Sequence, residues 1–199
     1  MIKTVVFDIC GVVWNDQSTK SEFYDGLGHI FNEDQPSVEN DFLEVYKPLE
    51  YGKLTLMDWF KQKNINYTQE QIDKFIGDIL QNDKFIKNIN IEVVEIIKDL
   101  QKQSKVGCLS NIEYYFKNTF YDNIAPLFDF ALFSYEIGHR KPDPEAYLEI
   151  FKHVDCQPQE VIFIDDKERN LVPARALGIN CIHFTSSQDL KNQLNKVLK

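Results

Sequence analysis

The sequence predicts an α/β fold, a doubly wound parallel sheet with one inserted helical lobe, and three observations lead there. Short β-branched and aromatic runs alternate with amphipathic stretches, one long segment has no strand-like run at all, and polar clusters follow the strand ends. Strands that alternate with helices pair in parallel through right-handed crossovers.

Each element has its own signal. Residues 4–8 form the first apolar run and read as a strand buried on both faces. No strand-like run then occurs from Asn15 to Lys84. A helix is expected to end near Tyr51 with Gly52 as its stop, and Thr55-x-x-Asp58 and Thr68-x-x-Gln71 are capping boxes that start two more. Residues 15–85 are therefore expected to be the helical lobe, and residues 1–14 and 86–199 the α/β core. In the core, Val93, Ile96, Ile97 and Leu100 sit at i, i+3, i+4, i+7 of a helix. Further strands are expected at 105–110, 130–133, 161–165 and 181–184, with helices starting at Pro144, around Glu168 and near Ser187.

Composition narrows the function. With 43% hydrophobic residues, 199 residues can bury one sizeable core. Acidic residues number 31 against 22 basic, and only Arg140, Arg169 and Arg175 are arginines, so no basic stripe exists for a nucleic acid. The acidity is concentrated: residues 15–85 hold 14 acids against 7 lysines, a net of −7. Apolar runs such as 161–164 fall far short of the ~18 residues that cross a bilayer, and Asp8 interrupts any signal-peptide core. The aromatic residues of 15–85 are expected to form mainly that lobe's own core. Cys10, Cys108, Cys156 and Cys181 show no Cys-x-x-Cys pair, which disfavours zinc and disulfide frameworks. A cytoplasmic protein with reduced thiols and neither nucleic acid nor membrane as partner is expected.

Ligands of open α/β sheets bind beyond the carboxyl ends of the strands. The segments there are Phe7-Asp8-Ile9-Cys10-Gly11, Leu109-Ser110-Asn111, Gly138-His139-Arg140-Lys141-Pro142-Asp143-Pro144, and Ile164-Asp165-Asp166 with Asn170 downstream. Each alone reads equally well as a turn or a helix cap. Together they suggest chemistry. Neighbouring strands lie ~4.8 Å apart, so if strands one and four are adjacent, Asp8 converges on Asp165 and Asp166. Three carboxylates call for a positive partner, and an all-oxygen set beside a phosphate suits Mg²⁺. Ser110, Asn111 and Lys141 supply donors for phosphate oxygens. A carboxylate nucleophile, a metal and phosphate donors describe phosphoryl transfer through an aspartyl-phosphate.

These four segments resemble the four motifs of the haloacid dehalogenase-like (HAD) hydrolases, with a Rossmann-like core, and in particular the branch of sugar phosphatases and the epoxide-hydrolase N-terminal domain. Leu49-Glu50-Tyr51-Gly52-Lys53-Leu54-Thr55 is similar to that branch's cap loop, so the lobe would be a small helical cap. The resemblance implies a Mg²⁺-dependent phosphatase for small phosphorylated, sugar-phosphate-like metabolites. Asp8 would be the nucleophile, Ser110, Asn111 and Lys141 would bind phosphate, and Lys141 would also offset the charge on Asp8. Asp8, the carbonyl of Cys10, Asp166 and Asp165, the last directly or through water, would hold the metal. Asn170 would steady the carboxylates from behind. Selectivity is expected where cap meets core, around Trp14, Asn15, Tyr51 and Lys53, with His139 as a surface histidine.

Cys10 departs from the family pattern, which places an aspartate acid/base two residues after the nucleophile. A thiol with pKa near ~8.5 is a poor substitute. Three readings stay open: a phosphatase whose leaving group needs little protonation, a dehalogenase-like hydrolase, which needs no metal, and a non-catalytic phosphate-binding or scaffold protein.

Overall fold

In the computed structural model, which describes residues 1–15, 18–80 and 82–198, the expected strands form one parallel sheet. Strands β1 (Thr4–Phe7), β2 (Lys105–Ser110), β3 (Phe130–Phe133), β4 (Val161–Asp165) and β5 (Asn180–His183) are ordered β3-β2-β1-β4-β5. The chain runs one way from β1 through β2 to β3 and then crosses to β4, so strand order switches beside β1. Phe7 pairs with Cys108 on one side and Ile164 on the other, which brings the carboxyl ends of β1, β2 and β4 level.

Helices follow in chain order. Between β1 and α6 (Ile91–Leu100) lie α1 (Ser18–Phe31), α2 (Gln35–Glu50), α3 (Leu56–Gln62), α4 (Gln69–Leu80) and α5 (Asn82–Lys87). The core continues with α7 (Lys117–Asn123), α8 (Ser134–Ile137), α9 (Pro144–Leu148), α10 (Glu168–Ala176) and α11 (Ser187–Val197). Residues 16, 17 and 81 of the expected lobe lie outside the described residues. Among the described residues no helix is long and apolar enough to cross a membrane.

Alternation along the strands builds two cores. Val5, Phe7, Val106 and Cys108 face a layer with Val93 and Ile97 of α6 and Leu190 and Leu194 of α11. Val6, Leu109, Val161 and Phe163 face Tyr147 of α9 and Leu171 and Ala174 of α10. Both faces are covered, which explains why the strands read as continuous apolar runs.

The insert follows its local signals. Thr55 Oγ1 accepts from Asp58 N at 3.1 Å while Thr55 N donates to Asp58 Oδ2 at 3.2 Å, a closed capping box for α3. Thr68 and Gln71 make the same exchange before α4. Phe31, Phe42, Trp59, Phe60 and Tyr67 pack edge to face among themselves, so these rings do form an internal core. Gly52 ends the α2 turn at φ +66°, and a Cβ there would lie 2.3 Å from the Tyr135 carbonyl oxygen. Only glycine lets this loop close on the core.

Candidate active site

Asp8 is the first residue past β1, and its N–H continues the ladder to Ile164 O at 2.7 Å. The chain then turns sharply: Val12, Val13 and Trp14 N–H groups all donate to Ile9 O, at 3.1, 2.9 and 2.9 Å. Gly11 takes φ +95°, and a Cβ there would lie 2.5 Å from Asp166 Oδ2. The turn and the neighbouring carboxylate therefore both require glycine.

Asp8 is buried and its Oδ1 is saturated. It accepts from Ile9 N at 2.6 Å and Ser110 Oγ at 3.0 Å, and Lys141 Nζ approaches to 2.8 Å. Among the described residues Oδ2 accepts no hydrogen bond. Lys141, 1% exposed, bridges to Asp165 Oδ2 at 2.7 Å. Asp165 is further held by Lys167 N at 2.8 Å and by Asn170 Nδ2, 3.0 Å from each oxygen. Asp166 differs: its Oδ1 is buried without a hydrogen bond, approached only by Lys167 Nζ at 3.5 Å. One carboxylate oxygen from each of Asp8, Asp165 and Asp166 lies within 4.8 Å of the others.

The charges are tightly coupled. Burial, reinforced by Asp165, pushes the Asp8 carboxyl up to about 6 against the pull of the Lys141 ammonium. Burial also opposes ionisation of Asp165, but Lys141, Lys167 N–H and Asn170 outweigh it and hold that carboxyl below the usual range. Burial lowers and the two carboxylates raise the Lys141 ammonium, which ends above its ordinary value. At neutral pH Lys141 is charged and Asp165 is its fixed counter-ion.

Of the eight sequence-derived site residues, Asp8, Cys10, Ser110, Asn111, Lys141 and Asn170 line a cavity of about 210 Å³ at this sheet edge, and Asp165 and Asp166 stand beside it, clustered with Asp8. Asn111 lines the cavity and has a structural part besides the expected one of donor. Its amide accepts from Lys141 N and donates to Lys141 O, both at 2.8 Å, so the side chain braces the loop that carries the ammonium. Tyr51 and Lys53 do not line the cavity: the Tyr51 hydroxyl donates to Asp143, and Lys53 Nζ sits 4.7 Å from the Tyr51 ring centre. His183, which has no partner pattern in the sequence, contacts the Asp166 carbonyl through Nε2 at 3.0 Å.

Several lining residues escaped the sequence reading as functional groups. Glu113 and Glu50 are buried acids on the cavity wall, with Arg140, Tyr46, Lys167 and Arg169. Glu50 pairs with Arg140 Nε at 2.5 Å, joining insert to core. Burial, with Glu50 nearby, pushes the Glu113 carboxyl up to about 8. Its signal was faint: an acid three residues after Ser110, in a stretch otherwise rich in aromatic side chains. The Cys10 thiol is pushed up to about 12 by burial and by the charge of Asp8.

A parallel sheet with a buried aspartate after its first strand, a lysine from the loop beyond the third and an Asp-Asp pair after the fourth defines a hydrolase class. The haloacid dehalogenase-like hydrolase pattern matches residues 2–178, and the chain belongs to that family. It is 26% identical to D-ribitol-5-phosphate phosphatase of Bacteroides thetaiotaomicron, over 100% of this chain and 99% of that one. It is 26% identical to a sesquiterpene phosphatase of Aspergillus oryzae, over 93% of this chain and 91% of that one. Among solved structures, a HAD family enzyme of B. thetaiotaomicron in complex with magnesium and inorganic phosphate superposes with a TM-score of 0.73 and 24% identity, over 93% of this chain and 95% of that one.

Proposed function

We propose that the protein is a Mg²⁺-dependent phosphatase of small phosphorylated metabolites that works through an aspartyl-phosphate on Asp8, with residues 15–85 as its cap. The observation that carries this reading is the buried chain Asp8–Lys141–Asp165 beside an Asp166 oxygen that has no hydrogen-bond partner. The nearest cation to that oxygen, Lys167 Nζ, stands 3.5 Å away and makes no hydrogen bond to it, so the carboxylate is only loosely compensated and a metal ion would complete its pairing. The hard oxygen donors of Asp8, Asp166, Asp165 and the Cys10 carbonyl fit Mg²⁺. When bound, the ion would neutralise phosphate charge and offset the mutual repulsion of the carboxylates.

The chain's own groups do the rest. Ser110 Oγ and Lys141 Nζ flank the nucleophile and are placed to hold phosphate oxygens. Asp8 attacks phosphorus, the P–O bond to the alcohol breaks, and the departing alkoxide takes a proton from solvent, which the hydrolysis step returns. Water then attacks the same phosphorus, the bond to Asp8 breaks, and inorganic phosphate and the free carboxylate are regenerated. Lys141 stays charged throughout because Asp165 holds it. The two phosphatase relatives act on very different alcohols, a sugar alcohol and a sesquiterpene. The second acid of the pair speaks against a dehalogenase: Lys141 already compensates Asp165, and a chemistry that needs no metal gives the cluster no use for Asp166.

The test is hydrolysis of p-nitrophenyl phosphate with and without a chelator, alongside Asp8→Asn. Loss of activity in both cases, with an unchanged circular dichroism spectrum, is expected. Wild-type turnover in Asp8→Asn, or indifference to the chelator, overturns the mechanism.

A further inference from the structure

Beside the catalytic cavity lies a second one of about 390 Å³, within the ~300 to 1,000 Å³ typical of small-molecule sites. Rings make most of its wall, Trp14, Phe23, Phe42, Tyr46, Tyr115 and Phe116 among them, and the charged groups on it are the exposed Lys20, which pairs with Glu39, and Glu113. Helices α1 and α2 supply Phe23, Phe42 and Tyr46, while the loops after β1 and β2 supply the other rings. Phe23 stacks on Tyr115 across that boundary, centroids 5.5 Å apart and planes 10° from parallel. The Trp14 indole N–H is already donated to Phe85 O at 3.1 Å, so no indole donor is left over for a ligand. Tyr46 and Glu113 belong to the walls of both cavities, so the two adjoin. The loop that carries the nucleophile also links them, with Cys10 and Trp14 bridged through their backbones.

From this juxtaposition, and resting on the phosphatase reading, we propose that the preferred substrate is the phosphate monoester of an alcohol with a bulky apolar group, aromatic or branched hydrocarbon. With its phosphate between Ser110 and Lys141, the ester's alcohol half passes Cys10 and enters the aromatic cavity. Cys10 belongs to this picture: a thiol there leaves the passage free of the carboxylate that would face a hydrocarbon. A polyol in the same place would have most of its hydroxyls against rings, and a buried polar group without a partner is unfavourable. Glu113, which lines both cavities, gives their junction one polar wall.

The experiment compares kcat/KM for acetyl phosphate, ribitol 5-phosphate, and alkyl and phenylalkyl phosphates of increasing length. Each buried CH₂ is worth about fourfold, so kcat/KM is expected to climb with chain length, plateau when the cavity is full, and exceed the polyol ester by tenfold or more. Phe116→Asp is expected to cut the preference at least tenfold. Leu43→Asp, at an exposed position on the same wall, is expected to cut it severalfold and guards against a misfolded first variant. Equal or better turnover of the polyol ester, or no dependence on chain length, overturns the proposal while leaving the phosphatase reading intact. Absence of turnover on every ester and on acetyl phosphate, an activated acyl phosphate, overturns the phosphatase reading instead. Calorimetry with phenylalkyl phosphonates then decides the cavity alone: affinity rising with chain length with a negative heat-capacity change supports it, and flat affinity overturns it.

Discussion

In the proposed mechanism Cys10 takes the place of a proton-shuttling acid, and its thiol, pushed up to about 12 by burial, stays protonated at neutral pH. It can neither activate water nor carry charge. Positioned acid/base groups contribute ~10² to 10⁴ in rate, so Cys10→Asp is expected to raise turnover at least tenfold, most on poor leaving groups, while Cys10→Ala changes little. Steady-state rates on p-nitrophenyl and alkyl phosphates, with mass-spectrometric trapping of phosphorylated Asp8, check this. A large loss in Cys10→Ala would assign the thiol a chemical role. Glu113 supplies a pH signature. Its folded-state pKa, about 8, lies above the ordinary glutamate value, so the folded protein holds that proton more tightly than the unfolded chain does. Stability from this group is full below ~4.3, where both states are protonated, and is lost as pH rises towards 8. Glu113→Gln keeps the shape and removes the charge. Its melting temperature is expected to exceed that of the wild type by several degrees at pH 8 and to match it near pH 5.

At the scale of elements, the end of α2 and the loop after α8 hold insert and core together. Glu50 is 1% exposed and its charge is met by Arg140, while the neighbouring Tyr51 hydroxyl reaches Asp143. Removing one partner of a buried ion pair strands the other and costs ~3 to 5 kcal/mol, and here Glu50 would also face Glu113. Arg140→Met is therefore expected to lower the melting temperature by roughly 6 to 20 °C, given ~2 to 4 °C per kcal/mol in a chain of this size. Adding Glu50→Leu should recover much of that loss. Equal melting of Arg140→Met and wild type in differential scanning calorimetry would show that the pair does not hold the insert.

For the whole molecule, the proposed metal site would make stability depend on the ion. A ligand at 100 times its dissociation constant stabilises by ~2.7 kcal/mol, so saturating Mg²⁺ with phosphate is expected to raise the melting temperature by roughly 5 to 10 °C. Asp166→Asn, which removes the unpartnered oxygen's charge, should abolish that rise. A wild-type shift retained in Asp166→Asn would place the ion elsewhere. The net charge of −7 on residues 15–85 biases access on the same scale. It repels polyanions, although salt screens beyond ~8 Å, so a small phosphate ester should be hydrolysed faster than a phosphopeptide. Comparable kcat/KM on both would remove charge from the account.

What the sequence determined alone was local or periodic. The strands, the capping boxes at Thr55 and Thr68 and the stop at Gly52 depend on neighbours a few residues away, and the structure carries them. The ordered polar segments of the site were legible for a related reason: in a parallel sheet every strand ends on the same edge, so residues after strands must gather there. Tertiary structure decided the rest. Adjacency of β1 and β4 was a condition in the sequence and a register in the fold, with Phe7 opposite Ile164. That the Asn111 amide also braces the Lys141 backbone is visible only in the fold. Glu113, Glu50 and Arg140 are ordinary charged residues in the chain and become a buried cluster only when α2 closes on the core. The aromatic rings of the insert divide in the same way, since which of them face inward and which line the second cavity depends on the angle at which helices pack. That angle comes from contacts between residues far apart in sequence, which no local pattern encodes.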